Sequence, residues 1–187
     1  MVFQEYVNTV TEAACRVKRL VEEIHHYVKV WRLYPVVQAL MAMRGVRMIV
    51  AVTVMAELGD LTRFENPKQL MSYLGLTPCE YSSGQRQRRG AITKTGNHHA
   101  RRILIEAAWS YRFSPKVSPE IQKRQEQQPL PIRDIAWQAQ LRLSKRYKTM
   151  TQRGKLPNVV VVAIARELAG FMWAIAQAVP LSIKSTA

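Results

Sequence analysis

Apolar residues recur at alternating spacings of three and four near the start of the chain: Val7, Val10, Ala14, Val17, Val21, Ile24 and Val28. That is the a/d seam of a heptad pattern, held for three heptads. Glu12, Arg16, Lys18, Arg19, Glu22 and Glu23 fall between them and form a solvated face. The pattern predicts one long helix over the first thirty or so residues. Its seam fits either a core beneath it or a coiled-coil partner. Pro35 is expected to end or kink this helix.

Beyond Pro35 the apolar stretches 36–43 and 48–58 flank Arg44-Gly45-Val46-Arg47. Two short helices around a glycine turn are similar to a helix-hairpin-helix, which offers backbone N–H groups to a phosphate. Arg47 stands where the strong form of that motif has a second glycine. Gly59 reads as a helix stop. Asn66-Pro67-Lys68-Gln69 reads as a helix start, with Asn66 as cap and Gln69 closing a capping box. Residues 76–95 carry Pro78, Ser82, Ser83, Gly84 and Gly90 and read as loop. Asn97 caps a helix predicted over 98–111.

Residues 114–131 are rich in Pro, Gln and Ser and read as a linker. An amphipathic helix is expected over 132–150 and an apolar one over 158–179, stopped by Pro180. No period-2 strand stands out, so the predicted fold class is mostly α. The expected organisation is a coiled-coil-like helix (1–34), a helical core with a basic loop (36–112), a linker (113–131) and helices packing on the core (132–180).

Charge narrows the partner. The 187 residues carry 28 Lys and Arg against 13 Asp and Glu, a net charge of +15. Such an excess makes a polyanion the expected partner. With 48% hydrophobic residues the chain is not disordered by composition. Cys15 and Cys79 form neither a disulfide framework nor a zinc pattern, which points to a reducing compartment. Residues 1–10 lack the basic-then-apolar order of a signal peptide. The run 159–179 is long enough to span a bilayer, but Arg166 and Glu167 at its centre favour a buried core helix.

The charge concentrates in one place. From Tyr81 to Ile105 there is no acid, while Arg86, Arg88, Arg89, Lys94, Arg101 and Arg102 stand beside His98 and His99. Cations on a glycine-flanked loop and the helix after it make a phosphate-binding surface. Each phosphate neutralised releases counterions, and the helix N-terminus adds a positive dipole end. Ser82-Ser83-Gly84 lies within this loop. A serine among arginines is suited to attack a phosphodiester once a base or metal activates it, and the arginines would stabilise the charge developing on the phosphate. On its own a Ser-Gly pair is as common in plain turns.

The order of motifs carries a resemblance. The stretches "GVRMIVAVTVMAELGDLTRFENPKQLMSYLGLTP", "SSGQRQRRGAITKTGNHHARRILIEAAW" and "RGKLPNVVVVAIARELAGFMWAIA" resemble the C-terminal domain of the insertion sequence 110/116/902 transposase family. The resemblance covers most of the chain. It implies a DNA recombinase of a mobile element, guided in some members by a structured RNA, in the cytoplasm or nucleoid of a prokaryote. It implies that Ser83, with Ser82 as neighbour, attacks the DNA backbone to form a phosphoserine link. It further implies that Arg86, Arg88, Arg89, Lys94, Arg101 and Arg102 hold phosphates, and that Gly96 and Asn97 shape the helix start. Gly45 and Arg47 join this set through the hairpin-like element.

Family members begin with an RNase-H-like domain whose Asp-Glu-Asp-Asp set binds divalent metal, and this sequence does not contain it. No metal or other cofactor is expected in this chain. Alone it is expected to bind nucleic acid and to recombine poorly or not at all, and the seam over 7–28 would pair with a second copy or with the RNase-H-like half. The alternative is an inactive fragment that serves only as a basic helical nucleic-acid-binding module. No membrane partner is expected.

Overall fold

The computed structural model describes residues 2–83 and 86–180, and the side chains of all of these except 81–83 and 86–89. The fold is mostly α, as the periodicity predicts. The chain falls into two compact units, Met1–Tyr34 and Pro35–Ala187.

The first unit is dominated by α1 (Val2–Tyr27), followed by a 3-10 turn over Val28–Val30. No residue of α1 is buried. The seam is open to solvent, with Val10 69% and Val17 61% exposed. Opposite the seam, Arg19 and Glu23 pair across one helical turn at 4.0 Å. The helix ends well before Pro35, which instead stands in the first turn of α2 (Tyr34–Leu40), where a missing N–H costs nothing.

The second unit continues through α3 (Met48–Leu58), α4 (Pro67–Tyr73), an antiparallel hairpin of β1 (Pro78–Ser83) and β2 (Arg86–Ile92), α5 (His98–Ala108), α6 (Pro119–Gln125), α7 (Leu130–Gln152) and α8 (Pro157–Ala178). Short 3-10 turns cover Leu61–Arg63 and Trp109–Arg112. The apolar helix α8 lies at the centre and packs on α4, α5 and α7. Its Val160, Val161, Ile164, Leu168, Met172 and Ile175 are buried. By length and composition α8 could cross a membrane, but these side chains are already packed inside the fold. Glu167 within it accepts from Arg142 at 2.8 Å and pairs with Arg146 at 2.9 Å.

The local signals explain most boundaries. Asn66 accepts from the Gln69 N–H, and Gln69 Oε1 accepts from the Glu65 N–H, each at 3.1 Å. Gly59 ends α3 with a φ of 66°. The Pro- and Gln-rich stretch holds α6, started by Ser118, whose hydroxyl accepts from the Ile121 N–H at 3.3 Å. Ile121 and Gln125 of α6 are buried, and Gln125 donates to the Ala42 carbonyl at 2.8 Å.

The region read as loop over 76–95 is a correction: it is a β-hairpin. Its pairing runs from Pro78 opposite Ile92 to Ser83 opposite Arg86, with an irregularity between Pro78 and Glu80. A two-stranded ribbon has no need of an apolar face to make its ladder, so the usual alternation is missing from the sequence.

Candidate nucleic-acid interface

The hairpin stands on a base that its own backbone builds. Past β2, the Thr93 N–H donates to the Thr77 carbonyl at 2.9 Å and the Lys94 N–H to the Gly75 carbonyl at 3.1 Å. Lys94 holds a left-handed φ of 57°, which turns the chain out of the ribbon towards α5. Gly96 follows with φ of 72°, and a Cβ there would collide with the Tyr73 carbonyl. Only glycine lets the strand exit lie against the end of α4.

Asn97 then caps α5, accepting from the Ala100 N–H at 2.9 Å. Its amide donates to Glu57 Oε2 at 2.6 Å. The other oxygen of Glu57 lies 3.5 Å from His99 Nδ1, an ion pair whenever the imidazole is protonated. Glu57 thus joins the end of α3 to the start of α5, and its negative charge suits the positive end of the α5 dipole. Sequence reasoning missed this residue, because its partner Asn97 is forty positions away. His98 and His99 stack edge-to-face at 4.3 Å.

The predicted cations divide into two groups. Arg101 is turned inward: Nη1 donates to the Leu74 and Thr95 carbonyls, both at 2.8 Å. It ties α5 to the end of α4 and to the base of the hairpin. Arg102 is exposed and pairs with Glu106 one turn on at 3.0 Å. Lys94 is exposed at the hairpin exit. Arg86, Arg88 and Arg89 all lie on β2, where Arg86 is opposite Ser83, Arg88 opposite Tyr81 and Arg89 opposite Glu80. Ser82 is opposite Gln87, so the two serines occupy register positions of opposite parity. The side chains of Ser82, Ser83, Arg86, Arg88 and Arg89, and all of Gly84, lie outside the described residues.

The hairpin-like element around Gly45 makes contacts of its own within the fold. Gly45 has a φ of 79°, and a Cβ there would collide with Ser110 and the Ala107 carbonyl. The turn is pressed against the end of α5. Arg47 pairs with Glu120 at 3.0 Å, and Arg124 donates to the Val46 carbonyl at 2.8 Å. Burial holds the Arg124 guanidinium below its usual range against the raising pull of Glu120, and Arg47 lowers it further. Seven residues, 41–47, separate α2 from α3, more than the short turn of the motif. Gly45 and Arg47 are therefore placed in an internal packing contact and an ion pair with α6.

Among the described residues no three His, Cys, Asp or Glu side chains are grouped to hold an ion.

Comparison with known proteins places these features in a class. A Sinorhizobium fredii protein described as transposase y4qE is 51% identical over 154 residues, 82% of this chain and 40% of that protein. A Pseudomonas aeruginosa protein described as a family 20 transposase is 31% identical over 139 residues, 74% of this chain and 35% of that protein. The transposase for insertion sequence element IS1111A of Coxiella burnetii is 35% identical over 71 residues, 38% of this chain and 20% of that protein. Residues 37–124 match the model of the Transposase IS116/IS110/IS902 family. The chain belongs to this family of insertion-sequence transposases. It spans two fifths or less of the length of these relatives.

Proposed function

We propose that this chain is the serine-bearing part of a DNA recombinase, and that the β1–β2 hairpin carries the reacting serine to DNA. The observation that supports this reading most is the register that pairs Ser83 with Arg86 at the end of a ribbon whose second strand also carries Arg88 and Arg89. Ser83 Oγ would form a bond to phosphorus as the strand's P–O bond breaks. The serine proton passes to a base, and the released strand oxygen is protonated in turn. The arginines stabilise the charge that gathers on the phosphate oxygens.

In this reading Arg86, Arg88, Arg89, Lys94 and Arg102 meet phosphates. Arg101, Gly96, Asn97 and Glu57 hold the hairpin base in place, and Gly45 holds the neighbouring turn. DNA is the main partner, with a structured guide RNA where the element supplies one. The seam of α1 pairs with a second copy or with an RNase-H-like half. Such a protein works on the chromosome in a prokaryotic cytoplasm. By itself the chain would bind nucleic acid, and strand joining would need the RNase-H-like half.

A salt titration of DNA binding tests the interface. Binding of the chain to a DNA duplex is expected to weaken steeply with salt. Replacing Arg86, Arg88 and Arg89 by Ala is expected to flatten the log–log slope by about 0.9 for each phosphate no longer neutralised. An unchanged slope would remove the hairpin from the interface.

A further inference from the structure

A second basic surface is built by residues outside the hairpin. No acid stands between Glu106 and Glu120, nor between Asp134 and Glu167. Both acid-free stretches line one open cavity of about 800 Å³, between residues 112–115 and the later turns of α7. Arg112, Lys145 and Lys148 supply positive charge to its walls, and Phe113 and Tyr147 supply aromatic rings.

Phe113 is the unusual residue here. The residue is 54% exposed, although its backbone is hydrogen-bonded in place. The Ser144 hydroxyl donates to the Phe113 carbonyl at 3.0 Å, and Arg44 Nη1 donates to the next carbonyl, Ser114, at 2.7 Å. The guanidiniums of Arg112 and Arg44 lie over the ring, 4.6 and 5.9 Å from its centroid, so the exposed remainder of the ring is what a base would meet. Beyond these, the Lys116 N–H donates to the Gln140 side chain at 3.2 Å, which fixes the strap to α7. The outcome is a part-exposed aromatic side chain on a hydrogen-bonded backbone, with cations against it.

We propose that this groove binds an unpaired nucleic-acid strand, with bases stacked on Phe113 and Tyr147 and phosphates met by Arg112, Lys145 and Lys148. The charge selects a polyanion. The aromatic platform selects an unpaired one, because a duplex hides its base faces and an open strand presents them. DNA and RNA single strands share this chemistry. The proposal does not rest on Ser83 or on the hairpin.

The test uses the full chain and fluorescence anisotropy, with one unstructured mixed-sequence oligonucleotide as DNA, as RNA, and as the DNA duplex. Phe113→Ala and Tyr147→Ala are each expected to weaken single-strand binding roughly fivefold or more and to leave the duplex nearly unchanged. Lys145→Ala with Lys148→Ala should flatten the single-strand salt slope by about 1.4. A greater loss for RNA than for DNA identifies RNA as the occupant, and the reverse identifies DNA. Phe113→Leu and Tyr147→Leu, which keep apolar volume and lose the aromatic face, must repeat the effect, and melting curves check the fold of each variant. The proposal is overturned if the aromatic variants leave single-strand binding unchanged or weaken the duplex in step. Loss of binding in Arg88→Ala and Arg89→Ala with a normal response to Phe113→Ala would leave the groove standing and concern the hairpin alone.

Discussion

Replacing Arg101 separates two roles that the sequence leaves indistinguishable. If Arg101 is a phosphate ligand, its removal would weaken nucleic-acid binding and spare the fold. If it is an internal tie, its removal would do the opposite first. One guanidinium nitrogen serves two carbonyls at 2.8 Å, and the bond to Leu74 is partly buried while that to Thr95 is exposed. Hydrogen bonds to a charged group contribute about 1.5–3 kcal/mol when sheltered and less in water. Arg101→Ala is therefore expected to cost about 2–3 kcal/mol, lowering the melting temperature by roughly 5–10 °C for a domain of this size. Arg101→Lys keeps the charge and at most one good bond, so it should recover about half. Arg102→Ala removes only an exposed pair to Glu106, expected to matter by less than about 0.5 kcal/mol. Thermal unfolding followed by circular dichroism reads all three, beside the DNA-binding salt slope. The internal role is wrong if Arg101→Ala melts within about 2 °C of the parent while its salt slope falls by about 0.9, the mark of one phosphate left unneutralised.

Two other changes probe the same framework. Gly96→Ala places a methyl group against the Tyr73 carbonyl at a left-handed φ; denaturant unfolding is expected to show a loss of at least about 2 kcal/mol, from strain and collision together. Tyr111 is fully buried and, among the described residues, its hydroxyl has no hydrogen-bond partner; burial pushes its phenol well above the usual range, with Arg44 pulling back. Its folded-state pKa is raised, so its share of stability is intact below pH 10 and is lost as pH climbs above that. Tyr111→Phe should match or exceed the parent's stability by up to about 1 kcal/mol near neutrality, and should lose less of it when unfolding is measured above pH 10.

The features legible in the sequence were those set by neighbours a few residues apart. The seam of α1 follows from three-and-four spacing. The starts of α4 and α5 follow from Asn66 and Asn97, whose side chains cap N–H groups three residues on. The stretch read as a linker from its proline and glutamine content holds α6, which Ser118 caps and Pro119 starts. The hairpin was not legible, because its strands make a ladder without burying an alternating face. The division of the cations was not legible either. Arg101 and Arg102 are adjacent and chemically alike, and what separates them is a carbonyl twenty-seven residues from Arg101. The contact of Gly45 with Ser110, far along the chain, is likewise not legible from its neighbours.

The reaction proposed for Ser83 is tested most directly by supplying the chain with an RNase-H-like half and end-labelled element DNA. The readout is a protein–DNA link that survives denaturation, mapped by peptide sequencing. The expected result is a link on Ser83, abolished by Ser83→Ala together with strand joining and retained by Ser82→Ala. Strand joining that continues in Ser83→Ala, or a link that maps to another residue, would contradict the assignment.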